Sequence, residues 1–171
     1  MDRKEIIEKL ERVDVNTFNV YVFSRFFERE IKLEIFSGDS GFDEIVISDY
    51  LLRCIDDLVD YGTTELEKIM FDVYQNYKHA IGTTDYGIIS DQYLEKYNNN
   101  TEKANQEFFD IESKEAAFRA LSFSYATVVE YSTNGVVSTR PRYVGLLFER
   151  PWDVEHELQI EIENGVYKQI H

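Results

Sequence analysis

Long uncharged stretches are missing from this chain. Nowhere does it run the roughly 18 residues without charge that a membrane-spanning helix needs, and its start, Met-Asp-Arg-Lys-Glu-Ile-Ile-Glu, lacks the apolar core of a signal peptide. Cysteine is nearly absent too. With Cys54 alone no internal disulfide can form, which fits a reducing environment and gives the expectation of a cytoplasmic protein. Basic residues are scarce: 18 Lys and Arg stand against 33 Asp and Glu, a net charge of −15 at pH 7. Such a surface repels phosphate backbones, which argues against direct nucleic-acid binding. The same field speeds encounter with a basic protein, although acidic surfaces also simply keep proteins soluble.

Motifs of familiar chemistries are missing as well. Gly38-Asp39-Ser40-Gly41 has the letters of a serine-protease nucleophile loop, but no histidine precedes it, so that family's His-Asp-Ser order is impossible. Gly82 and Gly87 carry the glycine spacing of a phosphate-binding loop, yet Ile88-Ile89 replaces the Lys and Ser/Thr that would hold phosphate and magnesium. His156-Glu157 opens like a zinc-protease helix, but Ile160 stands where the second histidine belongs. No Cys/His ligand cluster and no glycine-rich dinucleotide fingerprint is present, so no cofactor is expected.

What is present is core material and pattern. A chain of 171 residues with 12 Tyr and 12 Phe is expected to form one domain, spanning 1–171. Residues 2–13 read as an amphipathic helix with Ile6, Ile7, Leu10 and Val13 on one face. Residues 18–24 and 31–36 read as two strands, pairing antiparallel around Glu28-Arg29. Ser48 is a predicted N-cap for a helix burying Leu51, Cys54, Ile55 and Leu58. Thr64 and Glu67 form a predicted capping box for a second helix, which carries Ile69, Met70, Val73 and Tyr77 on one stripe. Ser90 and Ser113 are candidate caps of short helices, with Asn98-Asn99-Asn100 as a loop between them. A long strand follows from Leu121, with a turn at Asn134-Gly135 and an interruption at Pro141.

The last thirty residues are the clearest. An apolar run, Tyr143 to Phe148, meets a Pro151-Trp152 corner and an Asp-x-Glu-His-Glu cluster. Leu158, Ile160 and Ile162 then alternate with polar residues, and Asn164-Gly165 is a strong hairpin signal because a type I′ turn needs positive φ at both positions. Strands, helices and strands again define an α+β protein: an antiparallel sheet ending in a β-meander, with helices packed mainly on one face.

Trp152, Asp153, Glu155 and His156, with Gly165 and Ile170 behind them, resemble the tail of small bacterial domains of unknown function. Some of these are associated with immunity proteins of polymorphic toxin systems. The group usually has glycine after the histidine, where this chain has Glu157. The resemblance covers the last quarter of the chain and implies an immunity protein that binds a toxin.

Three functional expectations follow. The first is a non-catalytic acidic binding protein, with a basic protein toxin as partner. Its candidate contacts are Asp56, Asp57 and Asp60, in an acidic segment opposed nearby only by Arg53, together with Trp152, Asp153, Glu155, His156 and Glu157. The second is a hydrolase or transferase using His156 with Asp153 or Glu155, whose carboxylates favour the charged imidazole. The third is a housekeeping protein with no toxin. His156 reads first as a structural corner and Trp152 as core packing. Cys54 reads as a small buried thiol.

Overall fold

A computed structural model describes residues 3–37, 47–83, 91–131 and 139–171. The Gly38–Gly41 loop, Ser90 and the Asn134-Gly135 turn lie outside these residues. The described elements are helices α1 (Arg3–Lys9), α2 (Asp49–Asp60), α3 (Leu66–Ile81), α4 (Asp91–Lys96), α5 (Thr101–Phe109) and α6 (Lys114–Ala120). The strands are β1 (Glu11–Asp14), β2 (Thr17–Ser24), β3 (Arg29–Ser37), β4 (Ser122–Glu130), β5 (Tyr143–Arg150), β6 (Asp153–Glu163) and β7 (Val166–Ile170). The α+β class is as expected.

The chain divides into two compact units, and β4 to β7 run through both. The first unit comprises residues 1–63, 125–147 and 160–168. It contains part of every strand of a seven-stranded sheet, ordered β1-β2-β3-β4-β5-β6-β7. β2 and β3 pair antiparallel with Tyr21 opposite Lys32, joined by a turn in which Glu28 takes a φ of 53°. β3 and β4 pair in parallel, Leu33 opposite Ala126. The expected antiparallel sheet therefore contains a parallel join. A parallel neighbour needs a crossover, and here the chain between the two strands carries α2 to α6.

Alternation decides which face of this sheet is buried. Phe18, Val20 and Val22 of β2, Ile31, Leu33 and Ile35 of β3, and Ala126 and Val128 of β4 are all buried. α1 and α2 pack against β2. Between those positions, Tyr21 and Phe23 stay more than half exposed. The helix expected over 2–13 is shorter. Only Ile6 of its face is buried, whereas Ile7 and Val13 are 55% and 60% exposed. The chain leaves the helix after Lys9 and forms β1, which pairs with β2 at Glu11 opposite Asn19. Four exposed residues on an edge strand have no alternation to reveal them.

α2 follows its sequence signals closely. The Ser48 hydroxyl accepts from the Leu51 amide at 3.1 Å, and Leu51, Cys54, Ile55 and Leu58 are buried. The same hydroxyl donates to the buried carboxylate of Glu130 at the end of β4. Burial pushes the Cys54 thiol up to about 12, so a negligible fraction is thiolate near neutrality.

On its outer side α2 is clasped to the chain's tail. Asp57 takes a two-pronged bond from Arg142, Nε to Oδ2 at 2.6 Å and Nη2 to Oδ1 at 3.2 Å. The Arg142 amide donates to Asn164 Oδ1, and its carbonyl accepts from the Asn164 amide at 2.8 Å. Asn164 and Gly165 have φ of 52° and 80°, as the predicted hairpin requires. A Cβ on Gly165 would lie 3.2 Å from Asp57 Oδ1.

The second unit holds residues 64–124, 148–159 and 169–171. α3 buries Ile69, Met70, Val73 and Tyr77 as its stripe predicts. Its capping box does not form. The helix starts after Glu65 without a side-chain cap, and Glu67 instead receives Lys114 of α6 in an ion pair. α5 and α6 are capped by Asn100 and Ser113, which accept from the Lys103 and Ala116 amides. Asn98 and Asn99 sit at positive φ in the preceding turn. Phe108 lies in α5 and the buried Ile111 just beyond its end, while Asn105 of the same helix is buried with its Nδ2 donating to the Ile81 carbonyl at 3.0 Å.

Two outcomes test this description. Gly165→Ala should cost about 1 kcal/mol or more by urea denaturation, because it combines a positive φ with crowding against Asp57; an unchanged midpoint would remove the clasp as a constraint. Cys54 should stay unreactive toward a thiol reagent at pH 8 in the folded protein and react fully in denaturant.

Candidate functional site

The corner between β5 and β6 gathers the residues that the sequence singled out in the tail. Trp152 is 1% exposed, as its core reading expected. Its indole N–H donates to Asn76 Oδ1 at 3.0 Å, and its ring meets Tyr77 edge-on at 5.3 Å between centroids. Arg150 Nη1 donates to the same Asn76 oxygen at 3.0 Å, so one carbonyl on α3 holds both side chains. Burial raises the Tyr77 phenol to about 12.

Arg150 also reaches Asp153, Nη2 to Oδ2 at 2.5 Å, with both side chains at least nine-tenths buried. The other oxygen of Asp153 accepts from the Glu155 and His156 amides at 3.3 and 3.2 Å. His156 Nδ1 lies 3.1 Å from that oxygen too. Asp153 therefore caps the start of β6 while it neutralises Arg150. This explains why β6 begins at Asp153 rather than at the alternating residues: Glu155, His156 and Glu157 are exposed and carry no alternation.

Two openings flank this corner. A cleft of about 400 Å³ is lined by Ser122, Glu149, Arg150, Asp153, Glu155, His156 and Glu157, among others. A smaller one of about 200 Å³ lies between Asn76, His79, Ala80, Arg150, Asp153 and His156. Glu149, Glu155 and Glu157 are exposed at the larger cleft, where the guanidinium of Arg150 is already committed to Asp153 and Asn76. The wall is acidic and suits a cation. His156 with Asp153 could also move a proton. Among the described residues, no group of three or more His, Cys, Asp or Glu is placed to hold a metal ion.

The predicted contacts thus fall into two sets. Trp152, Asp153, Glu155, His156 and Glu157 share the corner in the second unit. Asp56, Asp57 and Asp60 lie on α2 in the first. Asp56 is exposed, Asp60 is exposed near Arg25 at 3.7 Å, and Asp57 is engaged by Arg142. Sequence reading missed Asn76, His79 as a wall of the smaller opening, and Arg142 as the partner of Asp57. Asn76 precedes Tyr77 at the border of the α3 stripe, which is the only trace it leaves in the sequence.

Fold and corner together define an α+β protein whose one tryptophan is sealed against an Asn-Arg-Asp network. The chain belongs to the family described as Domain of unknown function (DUF6985), which matches residues 6–170. No curated protein and no solved structure matches it.

Because Trp152 is the only tryptophan, its fluorescence reports this corner alone. Asn76→Ala leaves two buried donors without their acceptor and should cost about 1–3 kcal/mol in urea unfolding, with a changed native emission maximum. An unaltered spectrum and midpoint would show that Asn76 does not hold the corner.

Proposed function

We propose that this is a non-catalytic binding protein whose acidic surface engages a basic protein, in the manner of an immunity protein occupying a toxin. The observation that carries the reading is the disposition of its charge. The net charge is −15, and the carboxylates Glu149, Glu155 and Glu157 stand exposed around a cleft in which Arg150 is already neutralised. The tail that resembles domains associated with toxin immunity is the segment that builds this cleft. A cytoplasmic protein of this kind needs charge and shape, and no chemistry, to block a cationic enzyme.

One observation favours a second reading. The buried Asp153 lies beside an exposed His156 at 3.1 Å, an arrangement able to serve as acid or base in a hydrolase or transferase.

Affinity capture with the full chain, washed at low and then high salt, separates the two. A single basic protein retained at low salt and released at high salt supports the binding reading. Charge reversal at Asp56, Glu155 and Glu157 should then slow association about tenfold. Asp57 is left out of this test, because its loss would loosen the clasp to Arg142. Retention that ignores salt would sink charge-driven docking. Loss of a turnover in a folded His156→Ala variant would establish the catalytic alternative.

A further inference from the structure

Net charge attracts a basic partner from every side without choosing a face. The first unit contains a surface that does choose. Among the described residues β2 buries Phe18, Val20 and Val22 on one face and on the other presents two aromatic side chains to solvent, Tyr21 at 55% and Phe23 at 53% exposure. Their surroundings follow from the register. Tyr21 lies opposite Lys32, and Phe23 lies opposite the exposed Glu30. Glu30 and Glu34 are the diagonal neighbours of Tyr21, within reach of a long side chain bound over its ring.

This face already holds one cation on an aromatic ring. Lys32 Nζ sits 5.3 Å from the centre of Tyr125 on β4 and 2.5 Å from the Glu34 carboxylate. An aromatic face for the positive charge and a carboxylate beside it is the general recipe for receiving a lysine or arginine. Tyr21 and Phe23, with Glu30, repeat the recipe one strand over, with the rings exposed. The other lysine on this side of the sheet, Lys168, is tied to Glu163 at 2.8 Å, so neither lysine opposes an incoming cation with an unneutralised charge.

We infer that the uncovered face of β2 and β3 is a docking surface for a basic protein, whose arginine or lysine side chains stack on Tyr21 and Phe23 and pair with Glu30. This rests on the basic-partner reading and adds the face and the chemistry of the grip. Tyrosine and arginine are enriched among residues that dominate interface affinity. Self-association is disfavoured by the net charge of −15, which two copies would double at the contact.

The test uses the full chain with a nona-arginine peptide as probe at low salt. Binding is followed by fluorescence anisotropy, and the site by amide chemical shifts. The double variant Tyr21→Ala/Phe23→Ala leaves the net charge unchanged, so purely long-range attraction would not respond to it. Circular dichroism and dispersed amide chemical shifts confirm that the variant is folded. The expected result is shifts centred on β2 and β3 and affinity weakened about tenfold in the double variant. Tyr21→Phe, which keeps the ring, should bind like the unaltered chain. Shifts confined to α2 or to the cleft of Glu149, Glu155 and Glu157, with the double variant binding normally, would overturn this face while the basic-partner reading stands. No binding on any surface would count against both. A concentration-dependent dimer in sedimentation that the double variant abolishes would overturn it in favour of self-association.

Discussion

The first unit depends on how the carboxylate of Asp57 is spent. Helix α2 packs its apolar stripe against the sheet, but nothing in that stripe fixes where its outer surface meets the strands that arrive last in the chain. Arg142 does so with two bonds to Asp57, while its own backbone grips Asn164 from both sides. One arginine at the entry to β5 thus sets the helix, the start of that strand and the turn of the final hairpin. The pair is partly shielded, with side-chain exposures of 29% and 16%, so salt screens it less than the surface pairs elsewhere. Gly165 is confined by the same geometry, since any side chain there would press on the carboxylate.

The corner of the second unit solves a related problem differently. A buried guanidinium is costly unless its charge is paired and most of its donors are met. Arg150 pairs its charge with Asp153 and gives its two terminal nitrogens to Asn76 and Asp153, while its buried Nε has no hydrogen-bond partner among the described residues; Asp153 in turn uses its remaining acceptor capacity on two backbone amides. Of the exposed members of the cluster, Glu155 and His156 are held through their amides by a residue that is itself buried.

Much of this was legible in the sequence where the physics is local. The α2 cap and stripe, the α3 stripe and the last hairpin each depend on residues within a turn or two of one another. Asn164-Gly165 announced its positive φ values directly. The failures are equally physical. β1 is four exposed residues on an edge, without a period. The Thr64–Glu67 box was available, but Glu67 pairs with Lys114, which lies far along the chain. Asp57 read as one of a run of surface acids because Arg142 is distant in sequence. The acid-rich α2 segment seemed opposed by Arg53 alone, yet Arg25 and Arg142 both reach it. Long-range charge pairing leaves no spacing to read.

The parallel join between β3 and β4 has a consequence for how the chain is made. β1, β2 and β3 form consecutive neighbours by short turns and can assemble as soon as they are synthesised. The strand that covers the free edge of β3 is encoded only after α2 to α6. Until then that edge, with Ile31, Leu33 and Ile35 alternating along it, is an open template for any other extended chain. Closure of so distant a contact is also entropically slow. The nascent sheet must therefore wait with one side unpaired, and the hazard is borne during synthesis rather than in the finished fold. Lys32 and Glu34, spaced between the apolar residues of that edge, place charge where a stray strand would have to lie.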